Sequence, residues 1–180
     1  DKRNEICNLT INSLKTMGYC NAGTVEYLYE NGNFYFMEMN TRLQVEHPVS
    51  EEIYNFDLVK EQINVAAKYK LSSDQKKLKR NGHSIECRIN AEDPDTFTPS
   101  PGLIKNYPAP SGPGVRVDSH CYSGLEISPY YDSLIAKLIV YDIDRNSCIQ
   151  RLKRALNEFV IDGIKTTIPF VQEIITQKDF

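Results

Sequence analysis

The stretch that decides the reading is Glu38-Met39-Asn40-Thr41-Arg42-Leu43-Gln44-Val45-Glu46-His47-Pro48. Its even positions read Glu, Asn, Arg, Gln, Glu; its odd positions read Met, Thr, Leu, Val. In an extended chain alternate side chains share a face. Two carboxylates, two amides and a guanidinium then stand in one row, backed by a mostly apolar face. An ordinary solvent face is filled with Lys, Thr and Ser. This row holds no Lys and alternates acceptor, donor and cation, as an anion or metal site requires.

Working outward, residues 23–30 and 33–39 are rich in Tyr, Phe and Val and flank Asn31-Gly32, which predicts a hairpin. Glu26 lies on its first strand, and the turn decides whether it meets Glu38. A two-residue Asn-Gly turn pairs residues whose numbers sum to 63 and puts the two carboxylates on opposite faces. A three-residue loop Glu30-Asn31-Gly32, with Gly32 left-handed, pairs 29 with 33; Glu26, Leu28, Phe34, Phe36 and Glu38 then share a face. We expect the second arrangement. Two carboxylates on an apolar face are costly unless a cation sits between them, and oxygen ligands completed by substrate phosphates suit Mg²⁺.

Elsewhere the pattern predicts a helix over 2–18 closed by Gly18, and a helix over 57–68 capped by Asp57 with Leu58, Val59, Ile63 and Ala66 or Ala67 inward. The polar run 70–82 reads as a solvated connector, with a domain boundary near it: 1–82 and 83–180. Beyond it, strand-like runs at 83–91, 103–108, 114–121 and 133–142 are punctuated by Gly and Pro. A helix over 145–160 is capped by Asp144, lined by Ile149, Leu152, Ala155, Leu156, Phe159 and Val160, and stopped by Gly163. A short helix over about 168–177 follows. Hairpin strands with helices set apart define an α+β fold.

Composition bounds the function. The 180 residues carry a formal net charge of −3 with 41% hydrophobic side chains, which excludes a disordered chain and shows no basic excess for nucleic acid. No apolar run approaches a membrane span. No secretory signal opens the chain, and no Met does; the expectation is a piece cut from something longer. The five cysteines are odd in number and widely spaced, which argues for thiols in a reducing compartment over a disulfide framework or a zinc site. The location expected is the cytoplasm, or an organelle stroma in a eukaryote.

Gly23-Thr24-Val25-Glu26-Tyr27-Leu28 followed by the stretch 38–49 resembles the ATP-grasp core of biotin carboxylases. The likeness continues through Glu86-Cys87-Arg88-Ile89-Asn90-Ala91-Glu92-Asp93-Pro94, Pro99-Ser100-Pro101-Gly102, Gly114-Val115-Arg116-Val117-Asp118, Tyr130-Tyr131-Asp132-Ser133-Leu134-Ile135-Ala136-Lys137-Leu138 and Asp162-Gly163-Ile164-Lys165-Thr166-Thr167. It covers essentially the whole chain, and is strongest to the biotin carboxylase subunit of acetyl-CoA carboxylase; propionyl-CoA and pyruvate carboxylases carry related domains. The fold it implies is the last part of an ATP-grasp antiparallel sheet, with helices, followed by the family's C-terminal α+β domain.

The resemblance implies ATP-driven carboxylation of biotin on a carrier protein, through carboxyphosphate made from bicarbonate. Glu26 and Glu38 match the carboxylates that hold Mg²⁺ or Mn²⁺ against the ATP phosphates, with Asn40 beside them. Leu28 matches a residue lining the adenine pocket. Gln44, Val45 and Glu46 match bicarbonate contacts, with Glu46 as general base. Arg42 matches the cation that steadies bicarbonate and the biotin enolate, and Arg88 a residue that helps place both. Arg116 and Asp132 match regions near dimer contacts. The implied partners are the biotin carboxyl carrier protein, a second copy in a homodimer, and carboxyltransferase subunits. The physics agrees: a guanidinium holds bicarbonate bidentately, and fixed donors stabilise charge that develops in the transition state.

The family's Gly-rich phosphate loop is missing here; Gly112-Pro113-Gly114 reads as a turn. The chain alone is therefore expected to be inactive. Other ATP-grasp ligases and carbamoyl-phosphate synthetases share the Glu…Glu-x-Asn pattern without the Arg42, Gln44, Glu46 row. A non-catalytic dimerisation or carrier-docking module is the remaining reading.

Overall fold

A computed structural model describes all 180 residues. The chain divides into two compact units: residues 1–47 with 55–79, and residues 48–54 with 80–180. Both are mixtures of helices and antiparallel strands, so the fold is α+β as expected.

In the first unit, helix α1 (Lys2–Met17) begins where the Asp1 carboxylate accepts from the Arg3 N–H. It ends where Gly18 turns left-handed at φ 65°, and the N–H groups of Gly18 and Tyr19 bond the carbonyls of Lys15 and Leu14. Strands β1 (Thr24–Glu30) and β2 (Asn33–Asn40) follow as a two-stranded hairpin.

The turn is not the three-residue loop that the carboxylate argument expects. Glu30 pairs with Asn33, and Asn31 and Gly32 both have positive φ, 49° and 85°. This is the two-residue turn whose twist suits flanking strands. Its register puts Tyr27 opposite Phe36, and Tyr27, Phe34 and Phe36 form edge-on ring contacts on the side of α1. Carried on unchanged, that register would put Glu38 on the same apolar side. A β-bulge at Met37 prevents it: beyond the bulge Glu26 pairs with Glu38, Val25 with Met39 and Thr24 with Asn40. Met39 thus continues the apolar side beside Val25, while Glu38 joins Glu26 and Leu28 on the other. Phe34 and Phe36 do not share the carboxylate face, contrary to expectation.

Strand β2 ends at Asn40, so residues 41–46 are loop and turn and not the extended row read from the sequence. Helix α3 (Leu58–Ala66) is capped as expected by Asp57, whose carboxylate accepts from Lys60 N–H at 2.8 Å. Its inward face differs: Val59 and Ile63 point to solvent and Glu61 is buried. The cause is the connector, which folds back on the helix. The Glu61 carboxylate accepts from the Ser72 N–H at 3.0 Å and from Asn64 Nδ2 at 3.3 Å. Those donors hold its carboxyl below the usual range, the Ser72 bonds first. The connector is accordingly pinned, not free, and includes a short 3₁₀ turn over Gln75–Lys77.

In the second unit, β3 (His83–Asn90), β5 (Val115–Ser119) and β7 (Leu134–Asp142) form an antiparallel sheet in the order β3-β7-β5. The expected strand over 103–108 is reduced to β4 (Gly102–Leu103), paired with β6 (Glu126–Ile127). Ile89, Ala136, Leu138 and Val140 on one face of the sheet pack under helix α4 (Arg145–Glu158), which buries Cys148, Leu152, Ala155 and Leu156. Asp144 caps α4 by accepting from Ser147 N–H at 2.8 Å. Val160 is exposed, and Gly163 does not stop the helix, which ends at Glu158. Gly163 instead sits at φ 104° against the Leu103 carbonyl, 2.1 Å from where a Cβ would stand. Helix α5 (Ile168–Ile174) closes the core.

Helix α2 (His47–Tyr54), which periodicity did not reveal, has its residues 48–54 in the second unit. It meets the polar face of the sheet through Arg116, whose Nη1 lies 2.8 Å from Glu51 and 3.4 Å from Glu52. No helix is long and apolar enough to cross a membrane.

Candidate active site

The bulge makes the site. It sets Glu26 directly opposite Glu38, and Asn40 one position along the same face bridges them. Asn40 Nδ2 donates to Glu26 Oε1 at 2.9 Å and to Glu38 Oε1 at 3.3 Å. The amide nitrogen occupies the position a cation between two carboxylates would take. The donor set is all oxygen, as Mg²⁺ requires, with two carboxylates and the rest of the shell left to substrate and water. Glu26 and Glu38 therefore fit such an ion. Asn40 would ligate it only with its amide turned over, because the nitrogen now faces the carboxylates.

The loop after β2 continues the cluster without being a strand. Arg42 Nη2 donates to Asn40 Oδ1 at 3.4 Å, and its Nη1 to the Leu43 carbonyl at 3.1 Å. Gln44 Nε2 donates to Glu26 Oε1 at 3.2 Å. Glu26, Glu38, Asn40, Arg42 and Gln44 thus form one hydrogen-bonded chain on the first unit. Leu28 is exposed on the same face of β1, two residues from Glu26. Val45 is half-buried and Glu46 exposed in the turn that leads into α2.

His47 escaped the sequence reading. Its N–H and its Nδ1 both contact the Gln44 carbonyl, at 3.3 and 2.7 Å, so it pins the loop that carries Arg42 to Glu46. The signal available was His47-Pro48 followed by Glu51 and Glu52, since Pro is favoured in the first turn of a helix.

Arg88 belongs to the second unit and is exposed on β3. It stands opposite Lys137 of β7, which stands opposite Asp118 of β5 with its Nζ 3.5 Å away. Like charges opposite one another across strands are unfavourable, and an anion would relieve the Arg88–Lys137 pair. Arg116 forks onto Asp118 with two 2.8 Å bonds. The Asp118 fork, then Glu51, keeps the guanidinium protonated more firmly than usual. Asp132 caps the start of β7, accepting from Leu134 N–H at 2.7 Å.

An oxygen-lined carboxylate pair on a bulged hairpin, joined to a guanidinium and an amide, defines a nucleotide-dependent ligase half-site of ATP-grasp type. Residues 86–180 match the family model described as "Biotin carboxylase C-terminal domain", and residues 1–74 match "Carbamoyl-phosphate synthase L chain, ATP binding domain". The chain belongs to the biotin carboxylase family. It is 53% identical over 178 residues to biotin carboxylase of Haemophilus influenzae, covering 99% of this chain and 40% of that protein. It is 54% identical over 179 residues to a pyruvate carboxylase subunit of Methanothermobacter thermautotrophicus, covering 99% of this chain and 36% of that one. The biotin carboxylase domain dimer of Hydrogenobacter thermophilus 2-oxoglutarate carboxylase, in complex with MgADP, ADP and bicarbonate, superposes with a TM-score of 0.94 at 49% identity, over 99% of this chain and 40% of that one. The chain spans about two fifths of the length of these relatives.

Proposed function

We propose that this chain supplies the metal-binding, bicarbonate-binding and C-terminal parts of a biotin carboxylase, which uses ATP and bicarbonate to carboxylate biotin on a carrier protein. The observation that carries the reading is the Glu26–Glu38 pair opposed across the bulged hairpin and linked to Asn40 and Gln44.

In this reading Glu26 and Glu38 hold Mg²⁺ or Mn²⁺, which when bound neutralises phosphate charge and aligns the nucleotide. Leu28 lies against the adenine. Arg42 holds bicarbonate by its fork, with Gln44 and Val45 completing the contact. Glu46 takes the bicarbonate proton as its oxygen attacks the γ-phosphorus of ATP; ADP leaves and carboxyphosphate forms. Charge then develops on the biotin ureido oxygen as N1 loses its proton, and Arg42 and Arg88 offset it. The carboxyl group passes to N1. The proposed partners are the carrier protein, a second copy in a homodimer, and carboxyltransferase subunits that pass the carboxyl group to acetyl-CoA. The pyruvate and 2-oxoglutarate carboxylases among the relatives share this half-reaction, so the acceptor is the property of the transferase.

The test is bicarbonate-dependent ATP hydrolysis with free biotin. It compares this polypeptide with a chimera in which it replaces the matched 178 residues of the Haemophilus enzyme. Activity is expected in the chimera alone, and Glu38→Gln in the chimera should abolish its metal dependence together with its turnover. Equal activity of the isolated chain, or a folded chimera indifferent to Glu38→Gln, overturns the reading.

A further inference from the structure

The first unit has no core of its own. Every buried apolar residue outside α2 lies at position 89 or beyond, in the second unit. Helix α1 buries none of its sixteen residues, and neither hairpin strand buries any. Between α1 and the hairpin runs an open groove of about 550 Å³, lined chiefly by Leu9, Leu14, Met17, Val25, Phe36 and Met39. Met17 is 68% exposed and Phe36 66%. The hairpin is also a complete sheet of only two strands, so both of its outer edges lack a strand partner. A two-stranded sheet with an uncovered apolar side is marginal in water.

We propose that this groove and the two hairpin edges are a docking face for the polypeptide that biotin carboxylases carry beyond the matched segment. The occupant extends the β1–β2 sheet with further strands and fills the groove with apolar side chains. Two observations select it. The relatives are more than twice as long as this chain, so they hold polypeptide enough for the task. The apolar face is also concave, and a second copy would present another concavity, with no convex apolar element to insert. The inference rests on family membership alone, and on none of the catalytic roles assigned above.

Amide hydrogen exchange tests it, comparing the free chain with the Haemophilus chimera, both without nucleotide. Amides of α1, β1 and β2 are expected to exchange at least 100-fold more slowly in the chimera, while those of β3 and β7 agree within about threefold. In the chimera, Leu14→Ser with Phe36→Ser should remove that added protection and leave β3 and β7 protected, which separates loss of docking from loss of folding. Equal protection of α1 and the hairpin in both proteins means the unit is complete by itself and overturns the proposal. Protection in the free chain that rises with its concentration makes a second copy the occupant and overturns it equally. Because exchange needs no turnover, a chimera that gains protection but lacks ATPase activity refutes the catalytic reading and leaves this one standing.

Discussion

Arg42 shows what one side chain can be asked to do. Its two terminal nitrogens contact separate acceptors, Asn40 Oδ1 and the Leu43 carbonyl, so its position depends on the fork and not on charge alone. Arg42→Lys in the chimera keeps the cation and loses the fork. Since removing one donor to a developing oxyanion costs ~10²–10³ in rate, kcat should fall by about that factor with the KM for ATP little changed; near-normal turnover would remove Arg42 from the mechanism. Asp93 is a second informative residue. Its carboxylate pairs with Lys165 and accepts from the Asp95 and Thr96 N–H groups at 2.9 and 3.1 Å. The Lys165 ammonium first, and those amides next, hold its carboxyl well below the usual carboxylate range. A group depressed on folding contributes stability above its unfolded pKa, about 3.9, and that contribution is lost as pH falls toward the folded value. The urea midpoint should therefore drop between pH 5 and pH 3, and Asp93→Asn should make that drop shallower.

At the scale of elements, apolar periodicity marks both α3 and α4 as amphipathic, yet their stripes have different fates. Leu152 on α4 is fully buried against the β3-β7-β5 sheet. Ile63 on α3 is 64% exposed, because the connector covers the opposite side through Ser72 and Glu61. In the isolated chain Leu152→Ala should cost about 2–5 kcal/mol, and Ile63→Ala should stay within about 0.5 kcal/mol, measured by urea unfolding of each variant. Comparable losses would mean that α3 has a covered apolar face that the structure does not show. The hairpin makes the same point. Its turn follows from Asn31-Gly32, whereas the bulge at Met37 follows from the need to keep Glu38 off the apolar side that Tyr27, Phe34 and Phe36 define.

For the whole molecule, the unequal burial of the two units should appear in its thiols. Cys7 and Cys20 are exposed on the first unit, Cys121 is half-buried, and Cys148 is buried in the second-unit core. Burial pushes the Cys87 thiol up to about 12 and the Cys148 thiol up to about 11, and the reactive form is the thiolate. At pH 8 a maleimide should modify Cys7 and Cys20 first, Cys121 more slowly, and Cys87 and Cys148 only at the rate the second unit unfolds. Mass spectrometry of a labelling time course reads the order, and early modification of Cys148 would contradict the core described here.

Local chemistry was enough for the sequence to determine the α+β class, the caps at Asp57 and Asp144, the Gly18 stop, the four longer strands and the family likeness. Each is written in neighbouring residues: a side-chain acceptor next to free N–H groups, a glycine where φ must be positive, an alternation that one face of a sheet imposes. Tertiary structure alone decided the rest. Whether Glu26 meets Glu38 depended on a bulge that neither strand signals by itself. The even row of residues 38–46 became a cluster through Gln44 and Arg42 bonding back to Glu26 and Asn40, although the strand stops at Asn40. The inward face of α3 and the close approach at Gly163 were set by segments distant in sequence, Ser72 and Leu103. Periodicity records which side chains are apolar, while burial is a relation between two surfaces, and only the folded chain supplies the second.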